Sequence, residues 1–224
     1  MKKILRILKK TFIYIYTKIK IALNNEYEIS LSELYIINKV EIEEGYSKQI
    51  SKQIVVLKKI INENKINNLL EVGFNAGHSS ELFLIYTKSN ITSFDLGDHE
   101  YYKLGKSYID KIFPGRHDLI LGDSKNTLPE FILSNPNKKF DIIFIDGGHD
   151  YKTAKADLLN CKKLSHGNTI VIMDDIIYND KLKLDYNIGP TEAWLEAINN
   201  NIIKDVSTVQ FCKGRGMSWA KYIH

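Results

Sequence analysis

The chain has 224 residues, of which 44% are hydrophobic and 26% charged, a size and composition typical of one globular domain with a short extension. Its net charge of +4 arises in the first twenty residues, which hold many basic side chains and no acid, so the slightly acidic remainder excludes a nucleic-acid-binding body. The 2 cysteines form no CxxC pair, which excludes a disulfide framework and indicates a cytoplasmic protein.

Residues 1–24 form a basic amphipathic segment in which Lys and Arg alternate with Ile, Leu, Phe and Tyr. Its apolar runs are too short and too often interrupted by Lys to span a membrane, and no signal-peptide cleavage site follows. Two interpretations stay open. Either residues 1–23 make peripheral contact with an anionic membrane surface, or the segment docks on the body of the protein or on a partner.

Residues 25–65 are predicted to be helical. Apolar side chains recur at spacings of three and four residues from Ile50 to Ile61, and Ser30 or Ser32 can cap an earlier helix. We expect these helices to cap the substrate site or to form the contacts of a homo-oligomer.

From residue 66 onward, predicted strands alternate with predicted helices. The strands are expected at 68–72, 91–96, 118–121, 140–145 and 169–173. This rhythm is typical of βαβ units and a parallel sheet that is covered on both faces.

The end of the chain breaks this rhythm. A polar connection at 176–189, long enough to act as a lid, precedes a helix that Pro190 is expected to start. Two strand-like runs at 202–211 and 217–223 then follow, and their short link permits only antiparallel pairing. The predicted fold is therefore α/β: a doubly wound, Rossmann-like, mostly parallel seven-stranded sheet with a C-terminal antiparallel hairpin, preceded by N-terminal helices.

A glycine turn, EVGFNAGHS, follows the first strand and opens the next helix. Gly73 permits a tight turn, Gly77 permits close approach of the backbone to a ligand, and Asn75 tolerates a left-handed backbone. Glu71 is an acid inside an apolar run, so its burial requires a partner, either a ligand or a basic side chain of a neighbouring loop.

Acids also follow the second and third strands. Asp95 lies about twenty residues beyond the glycine turn, where a carboxylate can accept hydrogen bonds from the two hydroxyls of a ribose. Asp123 and Ser124 follow the third strand, and Asp123 either accepts a hydrogen bond from an adenine amino group or caps the next helix.

Three more carboxylates follow the fourth and fifth strands: Asp146, Asp174 and Asp175. Because parallel strands present ligand-handling residues just past their carboxyl ends, we expect these acids to converge, although Asp146 can also cap a helix. Converging carboxylates repel one another unless a cation neutralises them. Hard oxygen ligands favour magnesium or manganese.

These motifs, together with SFDLGDH, LGDS, FDIIFIDGGHDY and VIMDD, resemble those of class I S-adenosylmethionine-dependent methyltransferases, in particular the metal-dependent small-molecule and sugar O-methyltransferases. The resemblance implies a methyltransferase domain at residues 66–224 and a metal site at Asp146, Asp174 and Asp175. The residues predicted to bind S-adenosylmethionine are Glu71, Gly73, Asn75, Gly77, Asp95, Asp123 and Ser124. Asn75 departs from the commonest glycine pattern of the family.

The implied reaction is transfer of a methyl group to a hydroxyl of a sugar or another small molecule, with a phenolic or catechol hydroxyl as the second choice of acceptor. A hydroxyl must lose its proton to become a good nucleophile. His149 lies in the same loop as Asp146, and imidazole titrates near neutral pH. We therefore expect Asp146 and His149 to be catalytic, with His149 as the general base, although His149 could simply bond to Asp150 or to the start of the helix.

Two alternatives belong to other classes of function. An NAD-dependent oxidoreductase shares the βαβ turn and the acid for the ribose, but the chain lacks G-x-G-x-x-G. A non-catalytic methyltransferase-like protein, docked at a membrane through its basic segment, would have no use for the clustered acids and His149.

Overall fold

The computed structural model describes Thr11, Ile15, residues 29–43 and residues 50–224. The basic segment predicted at 1–24 lies outside the described residues, apart from Thr11 and Ile15. None of the helices in the described part is long and apolar enough to cross a bilayer.

A seven-stranded sheet forms the centre of the described part. The strands are β1 (Asn68–Val72), β2 (Asn90–Asp95), β3 (His117–Leu121), β4 (Ile142–Ile145), β5 (Ile170–Asp174), β6 (Ile203–Cys212) and β7 (Arg215–Tyr222). Their order in the sheet is β3-β2-β1-β4-β5-β7-β6. The first five strands are parallel, and β7 is antiparallel to both β5 and β6. The predicted sheet with its terminal hairpin is thus confirmed.

Helices cover both faces of this sheet, because successive side chains of each buried strand point to opposite faces and both sets are apolar. The described helices are α1 (Leu31–Ile37), α2 (Ser51–Asn62), α3 (His78–Tyr86), α4 (Tyr102–Ile112), α5 (Ser124–Ser134), α6 (Tyr151–Lys163) and α7 (Asp185–Asn199). Leu69 packs with α2, α3 and α4, whereas Leu70 packs with α5, α6 and α7.

Helices α1 and α2 pack directly on this body. Ser30 caps α1 and Glu33 returns the hydrogen bond, as the capping pattern predicts. The hydroxyl of Tyr35 lies 3.0 Å from the carbonyl oxygen of Ala76, and Glu81 accepts a hydrogen bond from the backbone N–H of Leu31. Helix α1 thereby holds the glycine turn from outside. A domain boundary at residue 66 stays a prediction.

The last helix begins earlier than the sequence indicates. Pro190 lies inside α7, which starts at Asp185 rather than after the proline. The extra turn is held by tertiary contacts: the Tyr186 hydroxyl donates to the carbonyl oxygen of Gly214, and the Asn187 amide lies 3.3 Å from Asp175. Residues that were predicted to belong to a loop therefore reach the carboxyl edge of the sheet.

Candidate active site

A cleft of about 430 Å³ lies at the carboxyl ends of the parallel strands, where β1 and β4, adjacent in the sheet, lead into different loops. It is lined by the glycine turn, by the ends of β2 and β3, and by the loop from Asp146 to Asp150. The residues of the predicted cofactor set that line it are Gly73, Asn75, Asp95, Asp123 and Ser124.

Gly73 joins the two halves of this cleft. Its φ is +96°, and a Cβ atom at this position would lie 1.9 Å from the carbonyl oxygen of Asp146. Only glycine fits such an approach. The residue before it, Val72, is also connected to this loop: its carbonyl oxygen accepts a hydrogen bond of 2.8 Å from the N–H of Asp146.

Asp95 fixes the glycine turn to the end of β2. Its Oδ2 accepts a hydrogen bond of 2.7 Å from the backbone N–H of Asn75, whose φ is +50°. Its Oδ1 accepts a bond of 2.8 Å from the N–H of Gly97. Because each carboxylate oxygen has two lone pairs, Asp95 retains the capacity to accept bonds from a ligand.

Asp123 caps α5, since its carboxylate accepts a hydrogen bond from the N–H of Lys125. The capping interpretation is therefore observed, and Asp123 also lines the cleft.

Glu71, on β1, and Gly77, just before α3, are not among the residues that line the cleft. Glu71 is fully buried and accepts hydrogen bonds from the hydroxyls of Ser80 and Ser93, the latter also 2.9 Å from His117. Because burial disfavours charge, it raises the pKa of Glu71 and lowers that of His117 to about 4. A direct role for Glu71 and Gly77 in cofactor binding stays a prediction.

Three potential metal ligands converge at one end of the cleft. Asp146, His149 and Asp175 each offer an atom within 4.8 Å of the other two. His149 Nε2 lies 3.1 Å from Asp175 Oδ2, and Asp175 has a left-handed backbone with φ of +61°. Parallel strands that end side by side place Asp146 and Asp175 together, as predicted.

Asp174 faces a different element from Asp175. Its Oδ2 accepts a hydrogen bond of 2.7 Å from the side-chain amide of Gln53 on α2, and both residues are buried. Asp174 lies outside the converging set of three, so its role as a direct metal ligand stays a prediction.

The carboxylates of this region repel one another. Burial and the negative charges of Asp174 and Asp175 raise the pKa of Asp146 well above its ordinary value. Burial and the charge of Asp175 raise the pKa of Asp174 to about 7. The positive charge of Arg215 on β7 opposes both shifts in part. Mutually repelling carboxylates, two of them buried and one partly buried, beside an imidazole are a donor set that fits a divalent cation.

Sequence reasoning missed three residues of this region: Gln53, Asn187 and Arg215. Gln53 and Asn187 are the amides that contact Asp174 and Asp175, and Arg215 lies on the terminal hairpin. No motif marks them. Gln53 and Arg215 belong to elements far from Asp174 and Asp175 in sequence, and Asn187 lies in the segment that was predicted to be a loop.

Substitution Asp174→Asn should change how the stability of the metal-free protein depends on pH. An acid whose pKa is raised on folding stabilises the native state most below its unfolded pKa, and this contribution disappears as the pH rises towards about 7. Asp174→Asn removes that loss. Urea unfolding in EDTA should show that the variant gains roughly 1–3 kcal/mol on wild type between about pH 4 and 7.

The matched control is Asp180→Asn, since Asp180 is exposed on a loop. A difference between Asp174→Asn and wild type that stays constant over this pH range would contradict the raised pKa.

Comparison with known proteins gives one domain match and many similar folds. Residues 70–176 match a family model described as a methyltransferase domain. No protein of curated function matches the chain in sequence.

Three solved structures illustrate the similarity of fold. An O-methyltransferase from Bacillus cereus, in complex with SAH, is 18% identical with a TM-score of 0.67, over 94% of this chain and 100% of that chain. TomG from Streptomyces achromogenes, an O-methyltransferase of tomaymycin synthesis in complex with SAM, is 14% identical with a TM-score of 0.66, over 92% of this chain and 96% of that chain. CalS11, a TDP-rhamnose 3′-O-methyltransferase of calicheamicin biosynthesis, is 17% identical with a TM-score of 0.57, over 76% of this chain and 77% of that chain.

Proposed function

This chain carries a methyltransferase domain on the class I fold, as its motifs predict, and we propose that it transfers a methyl group from S-adenosylmethionine to a hydroxyl oxygen of a small molecule or sugar. One observation carries the proposal: the loop from Asp146 to His149 lines the cleft and also belongs to the converging acids and imidazole. A methyl donor in the cleft would therefore lie beside a site able to activate an oxygen nucleophile.

The donor would bind along the glycine turn. The backbone at Gly73 and Asn75 lines the cleft and would approach the donor closely, and Asp95 would accept hydrogen bonds from the ribose hydroxyls. Asp123 and Ser124 line the part of the cleft at the end of β3, where an adenine would lie. The sulfonium centre of the donor supplies the methyl group.

Asp146 and Asp175 would hold a divalent cation, with Asp174 next to them. The oxygen-rich set suits magnesium or manganese, which accept carboxylates and retain places for other oxygen ligands. A cation bound there would lower the pKa of the acceptor hydroxyl and fix its position.

His149 would accept the proton of the acceptor hydroxyl. Its side chain is 42% exposed at the end of the cleft, and the Asp175 carboxylate, 3.1 Å away, would stabilise the imidazolium that forms. The same geometry allows a second role, because His149 also lies within reach of a cation held by Asp146 and Asp175.

Two of the structures with a similar fold suggest a class of acceptor. TomG and CalS11 act in natural-product pathways, and CalS11 is described as acting on a sugar nucleotide. We favour a sugar hydroxyl, with a phenolic hydroxyl second. Peripheral membrane contact through residues 1–23 and a homo-oligomer stay predictions.

Asp95→Ala should weaken binding of S-adenosylmethionine about 10- to 100-fold, because hydrogen bonds to a charged acceptor are lost. Isothermal titration calorimetry measures this directly. Asp98→Ala is the matched control, since Asp98 lines the same cleft and is exposed. Equal affinities of Asp95→Ala and wild type would remove Asp95 from the ribose role.

His149→Ala should lower methyl transfer about 100-fold or more while Mn²⁺ affinity stays close to that of wild type, as expected for a general base. Turnover is measured with radiolabelled methyl donor, Mn²⁺ and panels of nucleotide-sugars, glycans and phenols.

Addition of EDTA should abolish turnover without preventing binding of the methyl donor.

The control for His149 is His224→Ala, which alters a histidine beyond the end of β7, at the opposite edge of the sheet. Loss of Mn²⁺ affinity in His149→Ala would identify His149 as a ligand instead. Undiminished turnover in EDTA would refute the metal, and the absence of methyl transfer to every acceptor class would count against the proposed activity.

A further inference from the structure

We infer that Gln53 is a positioning residue that holds Asp174 at the acidic end of the cleft and couples helix α2 to the binding of a divalent cation there. The inference rests on the proposed function, because it concerns the proposed cation site. Gln53 lies outside the matched methyltransferase domain at residues 70–176.

The contact between Gln53 and Asp174 is short and buried. The side-chain nitrogen Nε2 of Gln53 lies 2.7 Å from Oδ2 of Asp174, and the two residues are 1% and 5% exposed. A buried amide is costly unless it is hydrogen-bonded, and so is a buried carboxylate. Each of these groups therefore needs the other.

The adjacent acids are held by two different helices. Asp174 lies opposite Met217 in the register of β5 and β7 and shares its face of the sheet with Ile172, in the layer that α2 covers. Asp175 turns the other way and contacts His149 and the amide of Asn187 on α7. Each carboxylate of the pair thus has an amide from a separate helix as its donor.

An amide suits this task because it orients a carboxylate without neutralising it. A lysine at position 53 would form an ion pair with Asp174 and compete with a cation, whereas a glutamate would repel it. With Gln53, the negative charge of Asp174 remains available beside Asp146, whose strongest charged neighbour it is.

Gln53 is also rigidly placed. It lies in the first turn of α2, and the same helix buries Leu57, Ile60 and Ile61 against the sheet. A supporting group on a packed helix holds its partner more firmly than one on a loop. The packing of α2 on the sheet and the position of Asp174 are therefore linked.

The test compares Gln53→Met, which keeps the length of the side chain and removes the donor, with wild type in the full-length protein. Mn²⁺ affinity is measured by calorimetry and by the electron paramagnetic resonance signal of free Mn²⁺, without acceptor. Loss of a group that orients a ligand typically weakens metal binding about 10- to 100-fold, and this is the expected effect. Affinity for S-adenosylmethionine should not change, because Gln53 does not line the cleft.

Three further variants distinguish loss of the hydrogen bond that positions Asp174 from a general loosening of helix α2. Lys52→Met alters an exposed neighbour on the helix, and Ile60→Val trims its buried face without touching Asp174. Both should bind Mn²⁺ like wild type. In the Asp174→Asn background, Gln53→Met should weaken Mn²⁺ binding no further, since the partner it positions is already altered.

Equal Mn²⁺ affinities of Gln53→Met and wild type would overturn the inference and leave the proposed function intact. An equal loss in Ile60→Val, or a parallel loss of S-adenosylmethionine binding, would also overturn it, because general loosening would then explain the effect. Failure of wild type to bind Mn²⁺ would remove the metal from the proposed function and the role of Gln53 with it.

Discussion

Mutual repulsion of carboxylates at the ends of β4 and β5 is the constraint around which this part of the molecule is built. Asp174 and Asp175 are buried and Asp146 is partly buried beside them, so the three cannot all be ionised together without compensation, and loss of solvation raises the pKa of Asp146 and Asp174. The surrounding elements supply that compensation in part. Amides come from α2 and α7, an imidazole comes from the loop after β4, and Arg215 adds a positive charge. A divalent cation would complete the balance.

A second constraint fixes the distance between the two halves of the site. The Gly73 backbone contacts the carbonyl oxygen of Asp146 so closely that no side chain fits between them. Asp95 fixes the glycine turn from the other side. The proposed places for a methyl donor and for an acceptor hydroxyl would therefore lie at one edge of the sheet, and pre-arranged geometry of this kind is what a displacement reaction requires.

The motifs that follow the strands could be recognised because they depend on local rules. A buried parallel strand is an apolar run, and its ligand-handling residue follows directly, so Asp95, Asp146 and Asp175 could be placed at the same edge without coordinates. The predicted start of α7 was wrong because tertiary contacts override a local rule there. Pro190 favours a helix start locally, but Tyr186 and Asn187 form a further turn because of contacts with the hairpin and with Asp175.

The sequence by itself determined the order of strands and helices, the glycine turn and the set of acids at the carboxyl edge, because all of these follow from hydrophobic periodicity and strand direction. Only the tertiary structure decided how the consecutive acids Asp174 and Asp175 are divided between two helices, and that Glu71 is bonded to Ser80 and Ser93 and does not line the cleft. The partners in these contacts, such as Gln53 and Asp174, are far apart in sequence. Which side chains meet at such distances depends on how the layers pack, and no local pattern records it.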